Sequence, residues 1–127
     1  MNLSKLGHFI WPILLVSIII IPGCIRDSQI ETYPELSFTN DVQPIIAANC
    51  TQSGCHNSSD GGSFSLETYE SVLGKVSPGN GRKSSIYRSI TGRALEGGFM
   101  PQSPSQPLSE DQIRTIFVWI EQGALNN

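Results

Sequence analysis

Histidine and methionine are scarce in this 127-residue chain, with two of each. His8 and Met1 fall within the first 23 residues, so beyond them His56 is the only histidine and Met100 the only methionine. Positive charge is also thin. Eight Lys and Arg stand against eleven Asp and Glu, a formal net charge of −3. No basic run is longer than Arg82-Lys83. That excludes the electrostatic footprint of a nucleic-acid binder. No segment alternates apolar and polar residues well enough to predict a strand.

One long apolar run is present, from Phe9 to Ile21, preceded by Lys5 and followed by Ile21-Pro22-Gly23-Cys24. Its 13 residues fall short of the roughly 18–20 that span a bilayer. The run ends at Gly-Cys and not at a basic flank. The order resembles a bacterial lipoprotein signal peptide with its lipobox. It implies cleavage before Cys24 and acylation of that cysteine. Residues 1–23 are therefore expected to be a signal peptide, 24–37 a lipid-anchored tether and 38–127 the domain. The alternative is an uncleaved membrane anchor; either way the domain lies outside the cytoplasm. Removing 23 of 127 residues leaves 104, and takes away one Lys and no acid, so the charge becomes −4. A chain of that size makes one domain with a thin core.

Cys50-Thr51-Gln52-Ser53-Gly54-Cys55-His56 carries the chemistry. Cys-x-x-Cys-His is the attachment signature of c-type haem; here the spacer has four residues. Two thiols supply thioethers, and an adjacent neutral imidazole supplies an axial iron ligand. Its second ring nitrogen is expected to donate to a backbone carbonyl that fixes the ring. Met100 supplies a thioether for the other axial position, where neutral sulfur favours ferrous iron. Gly97 and Gly98 precede it and Pro101 follows. Cys50, Cys55, His56 and Met100 are thus the expected haem-binding residues, with His56 and Met100 on the iron. The extra spacer residues must bulge outward to keep both sulfurs in reach.

Four short helices are predicted. The first covers about Asn40–Ala48, capped by Asn40 or Thr39, with Pro44 in its first turn. The second covers about Leu66–Leu73, started by Ser65 and stopped by Gly74. The third covers about Ser85–Ile90. The fourth opens on a Ser109/Gln112 capping box, carries Glu110 and Asp111 at its positive end, and shows Ile113, Ile116, Phe117 and Ile120 as a stripe before Gly123. Gly-, Ser- and Pro-rich stretches between them read as loops.

The order of parts resembles small class I c-type cytochromes, and most closely the planctomycete-type cytochrome c domain. Phe38-Thr39-Asn40-Asp41-Val42, Gly61-Gly62, Pro78-Gly79, Ser84-Ser85-Ile86-Tyr87, Met100-Pro101, Leu108-Ser109, Trp119-Ile120 and Gly123-Ala124 carry the resemblance. It implies an all-α, small cytochrome c-like fold of about four short helices wrapped round one covalent haem c. It implies an electron carrier, not an enzyme, that passes single electrons between unidentified periplasmic redox partners. The location implied is the bacterial cell envelope, lipid-anchored and facing the periplasm or the outside.

Other readings stand beside this one. A labile Met100 would make a haem-based sensor or a peroxidase-like module. A Cys50–Cys55 disulfide would make a haem-free, stapled lipoprotein. Zinc on Cys50, Cys55 and His56 lacks a fourth ligand beyond Asp60. Tyr87, Arg88 and Arg93 are candidates for holding haem propionates. Trp119 reads as core packing against the first helix. Glu67, Glu70, Glu110, Asp111 and Glu121 read as solvated helix faces.

Overall fold

The computed structural model describes residues 32–59, 64–95 and 97–127. The signal peptide, Cys24, the first part of the tether, Asp60 and Gly61-Gly62 lie outside the described residues. Helices alone make up the regular structure among the described residues, which agrees with an all-α chain.

The chain enters through a π-helical turn, Phe38–Val42, that runs directly into helix α1, Gln43–Asn49. The helical segment thus begins two residues earlier than expected. Ser37 is its cap: the Ser37 hydroxyl accepts from the Asn40 N–H, and the Asp41 carboxylate accepts from the Ser37 N–H at 2.7 Å. These reciprocal bonds satisfy donors that a helix start leaves open. Pro44 sits in the first turn of α1, where its missing N–H costs nothing.

Helix α2 is Tyr69–Leu73, shorter than expected. Leu66 does not open it: its N–H donates to the His56 carbonyl at 2.8 Å, and the chain stays extended through Thr68, at φ −117° and ψ 157°. Thr68 caps it instead, in a capping box with Ser71. A 3₁₀ turn at Gly81–Lys83, capped by Asn80, leads into helix α3, Ser85–Ile90. Helix α4, Glu110–Glu121, carries the expected Ser109/Gln112 capping box.

Helix α4 is the central element. It packs against the π turn, the 3₁₀ turn and α3. With neighbours on several sides, it buries a face wider than one stripe: Ile116, Val118, Trp119 and Ile120 are buried, and Ile113 and Phe117 only partly. The Trp119 ring lies 5.5 Å from Phe38, and Phe38 meets Tyr69 edge-on at 5.2 Å. Trp119 is therefore core packing against the first helical segment. Val42, Ile46, Val72, Ile86 and Ile90 complete the core from the other helices. Each fully buried isoleucine contributes roughly 1.5–3 kcal/mol.

The last residues of the expected tether are docked. Leu36 donates to Gln122 Oε1 at 2.9 Å, Gln122 Nε2 donates to the Pro34 carbonyl, and the Phe38 N–H donates to Asn127 Oδ1. Glu121 also departs from expectation. Its carboxylate accepts the Gly81 N–H at 2.7 Å and so holds the 3₁₀ turn against α4.

Candidate functional site

The Cys50–His56 segment starts where α1 ends. Cys50 is the C-cap of α1, and its N–H donates to the Ile46 carbonyl. The four-residue spacer then folds back under the helix end. Gln52 Nε2 donates to the carbonyls of Ala47 and Ala48, and the Thr51 hydroxyl donates to Ala47. These bonds satisfy carbonyls that the helix terminus leaves without partners. Ser53 and Gly54 project into solvent, and Gly54 takes a φ of +76° that a side chain would disfavour. The His56 N–H donates to the Cys50 carbonyl at 2.9 Å and closes the loop. The outward bulge is thus the expected one.

A cleft of about 390 Å³ opens beside this loop. Cys50, His56 and Met100 line it, with Leu66, Ile86 and Ile90 among its apolar walls. A second, larger cleft of about 820 Å³ adjoins it and is lined by the same three residues together with Cys55 and the Pro101–Ser105 loop. The structure therefore brings together all four residues marked in the sequence, including Met100 from 44 residues away.

Both cysteines are free thiols. Burial, and then the neighbouring Cys55, push the Cys50 thiol up to about 11. Among the described residues no group of three His, Cys, Asp or Glu side chains is arranged to hold a metal ion; Asp60 lies outside them.

His56 differs from expectation. Its Nδ1 is buried and has no hydrogen-bond partner, so no backbone carbonyl fixes the ring. Phe64 stacks on the imidazole instead, with ring centres 4.3 Å apart and planes 22° from parallel. Lys75 Nζ lies 3.9 Å from the centre of the same Phe64 ring. Phe64 and Lys75 both line the smaller cleft. Neither carries a signal in the sequence, because the contacts join loops whose proximity only the fold determines.

Glu67 organises the far side of the motif. Its carboxylate accepts from Ser58 N at 2.8 Å and from the Ser65 hydroxyl at 3.1 Å. Hydrogen bonds from the Ser58 side chain, then the Ser58 backbone, then Ser65 hold its carboxyl below the usual carboxylate range. Of the candidate propionate partners, Arg88 lines a further cavity of about 560 Å³ with Ser85 and Ser89, and these two serines also line the smaller cleft. Tyr87 packs on Phe117 of α4 at 4.8 Å, and Arg93 is exposed.

No model of a known protein family matches the chain, and neither curated proteins nor solved structures include a significant match. Among the described residues no helix is long and apolar enough to cross a membrane.

Proposed function

We propose that this chain is a monohaem c-type cytochrome, held at a membrane through Cys24, that carries single electrons between redox proteins of the cell envelope. The observation that carries the reading is the shared cleft: the only cysteine pair, histidine and methionine of the domain line one cavity. Its fit to haem rests on three features. The smaller cleft has apolar walls, as a flat macrocycle requires. An imidazole, the nitrogen donor of such a site, lines both clefts. A thioether sulfur and two thiols, the soft and covalent donors of a c-type site, line the same space.

When bound, haem c supplies a one-electron iron couple. The chain's own residues do the rest. Cys50 and Cys55 would hold the group through their sulfurs, and His56 and Met100 would supply the nitrogen and sulfur donors to its iron. Leu66, Ile86 and Ile90 exclude water from one wall and so favour the less charged, reduced state.

The test is covalent attachment. The full chain, exported by a bacterium that assembles c-type cytochromes, is expected to keep haem through a denaturing gel. Its dithionite-reduced spectrum should be that of a six-coordinate haem c. Cys50→Ser and Cys55→Ser should each lower the yield, and the double variant should carry none. Unchanged haem staining of the double variant would overturn the assignment.

A further inference from the structure

The ring plane of an axial imidazole matters, because rotation about the iron–nitrogen bond changes its overlap with the iron orbitals. That rotation is ordinarily stopped by a hydrogen bond from the second ring nitrogen to a carbonyl or carboxylate. His56 lacks this device: its Nδ1 is buried without a partner. It has instead a flat neighbour. Phe64 stacks on the imidazole at 4.3 Å with 22° between the planes. At that spacing the two rings are in van der Waals contact, so any twist of the imidazole drives its edge into the Phe64 face. Phe64 is itself steadied, since Lys75 Nζ lies 3.9 Å from its ring centre, within cation–π reach. Phe64 is 36% exposed and is not a member of the buried core, so the fold does not require an aromatic ring there.

We propose that Phe64 is a positioning residue for His56: its stacked ring sets the imidazole plane in place of a hydrogen bond to Nδ1. The proposal rests on the haem reading above, with Nε2 taking the iron. It assigns Phe64 no contact with the electron itself.

The experiment compares full-length wild type, Phe64→Leu and Phe64→Tyr, each matured with haem by an exporting bacterium. The readout is the proton spectrum of the oxidised protein, where the spread and order of the paramagnetically shifted haem-methyl signals follow the axial imidazole plane. Leucine fills space but cannot stack, so Phe64→Leu is expected to reorder or narrow those shifts while thermal stability changes little. Phe64→Tyr keeps the ring and is expected to restore the wild-type order. Phe64 ring protons in the wild type should show strong paramagnetic relaxation. An unchanged methyl pattern in Phe64→Leu, or wild-type Phe64 protons free of paramagnetic relaxation, would overturn the proposal and leave the haem reading intact. Wild-type protein that carries no covalent haem would overturn both, and the denaturing gel separates that outcome from the others.

Discussion

The backbone N–H of Met100 donates to the carbonyl of Ser89 at 3.1 Å. This bond fastens the methionine loop to α3, the helix whose Ser85, Ile86, Ser89 and Ile90 line the same cleft as His56. The loop around it is rich in Gly and Pro and has no helix of its own. Gly97 and Gly98 take φ values of +84° and +74°, which only glycine adopts at little cost. A sulfur delivered from such a loop is held by a few backbone bonds and not by a packed element.

Of the proposed ligands, Met100 is therefore the most easily tested. Oxidised wild type should show the weak near-infrared sulfur-to-iron charge-transfer band. Met100→Ala should lose it and let the reduced protein bind carbon monoxide. Met100→His should lower the potential where the new imidazole binds. Ready carbon monoxide binding by reduced wild type, with no sulfur band, would move the assignment from electron carrier to sensor or peroxidase-like module.

The Cys50 thiol gives a pH prediction for haem-free protein. Its ordinary value of 9.0 is raised to about 11 by burial and by Cys55. The folded state thus favours the neutral thiol. The stability this contributes is fully present below about pH 9 and is lost as pH rises toward 11, by at most on the order of 2–3 kcal/mol. The thiolate is the reactive form. Alkylation of folded haem-free protein by iodoacetamide, followed by mass spectrometry, should modify Cys50 slowly at neutral pH and speed up steeply toward pH 11. In denaturant Cys50 should react at the rate of an ordinary thiol. Rapid modification of Cys50 in the folded protein at neutral pH would show that its burial is not maintained in solution.

What was legible in the sequence follows the range of the interaction concerned. The α4 start is local, since Ser109 and Gln112 are three residues apart and bond each other's backbone. The spacer bulge is local too. The α2 start differs from the expected Ser65 because Thr68 and Ser71 form a capping box three residues further on, a pairing as local as the Ser109/Gln112 box but lacking its Glu/Gln signature. Ser37 was missed as a cap because the first segment opens as a π turn, which shifts the capping positions. Docking of the tether end was not visible, because Leu36 and Gln122 are 86 residues apart. Cys50, Cys55, His56 and Met100 stood out by residue type and scarcity alone, and the fold lines one cleft with them. Phe64 was not, because a stacking partner has no spacing rule.

Cys24 lies outside the described residues, and its role rests on the Ile-Pro-Gly-Cys order. Wild-type protein should partition with membranes, require detergent for release, and show acyl chains on a first residue Cys24 in its mass. Cys24→Ser should abolish acylation and ordinary cleavage. A domain exported from Ile25 onward should be soluble and, if the anchor serves only for location, keep the wild-type haem spectrum. A wild-type mass without acyl chains would remove the lipid anchor from the proposal.

Gly81 marks the closest approach of the 3₁₀ turn to α4. It is buried, and a Cβ there would lie 2.5 Å from Phe117 Cδ2 and 3.2 Å from Glu121 Oε1. The ring cannot yield freely, because Phe117 already packs on Tyr87 of α3 at 4.8 Å. Nor can the turn back away without losing the bond from the Gly81 N–H to Glu121. Gly81→Ala should therefore behave as an overpacked core, destabilising by about 1–3 kcal/mol. For a domain of this size that lowers the melting temperature by roughly 4–8 °C per kcal/mol. The strain passes through Phe117 and Tyr87 into α3, which lines the cleft, so weaker sulfur ligation should accompany the loss of stability. The near-infrared band of Gly81→Ala should fade at a lower temperature or alkaline pH than that of wild type. Wild-type stability in Gly81→Ala would mean that α4 and the 3₁₀ turn have room to part, and that the spacing around Phe117 is looser than the structure places it.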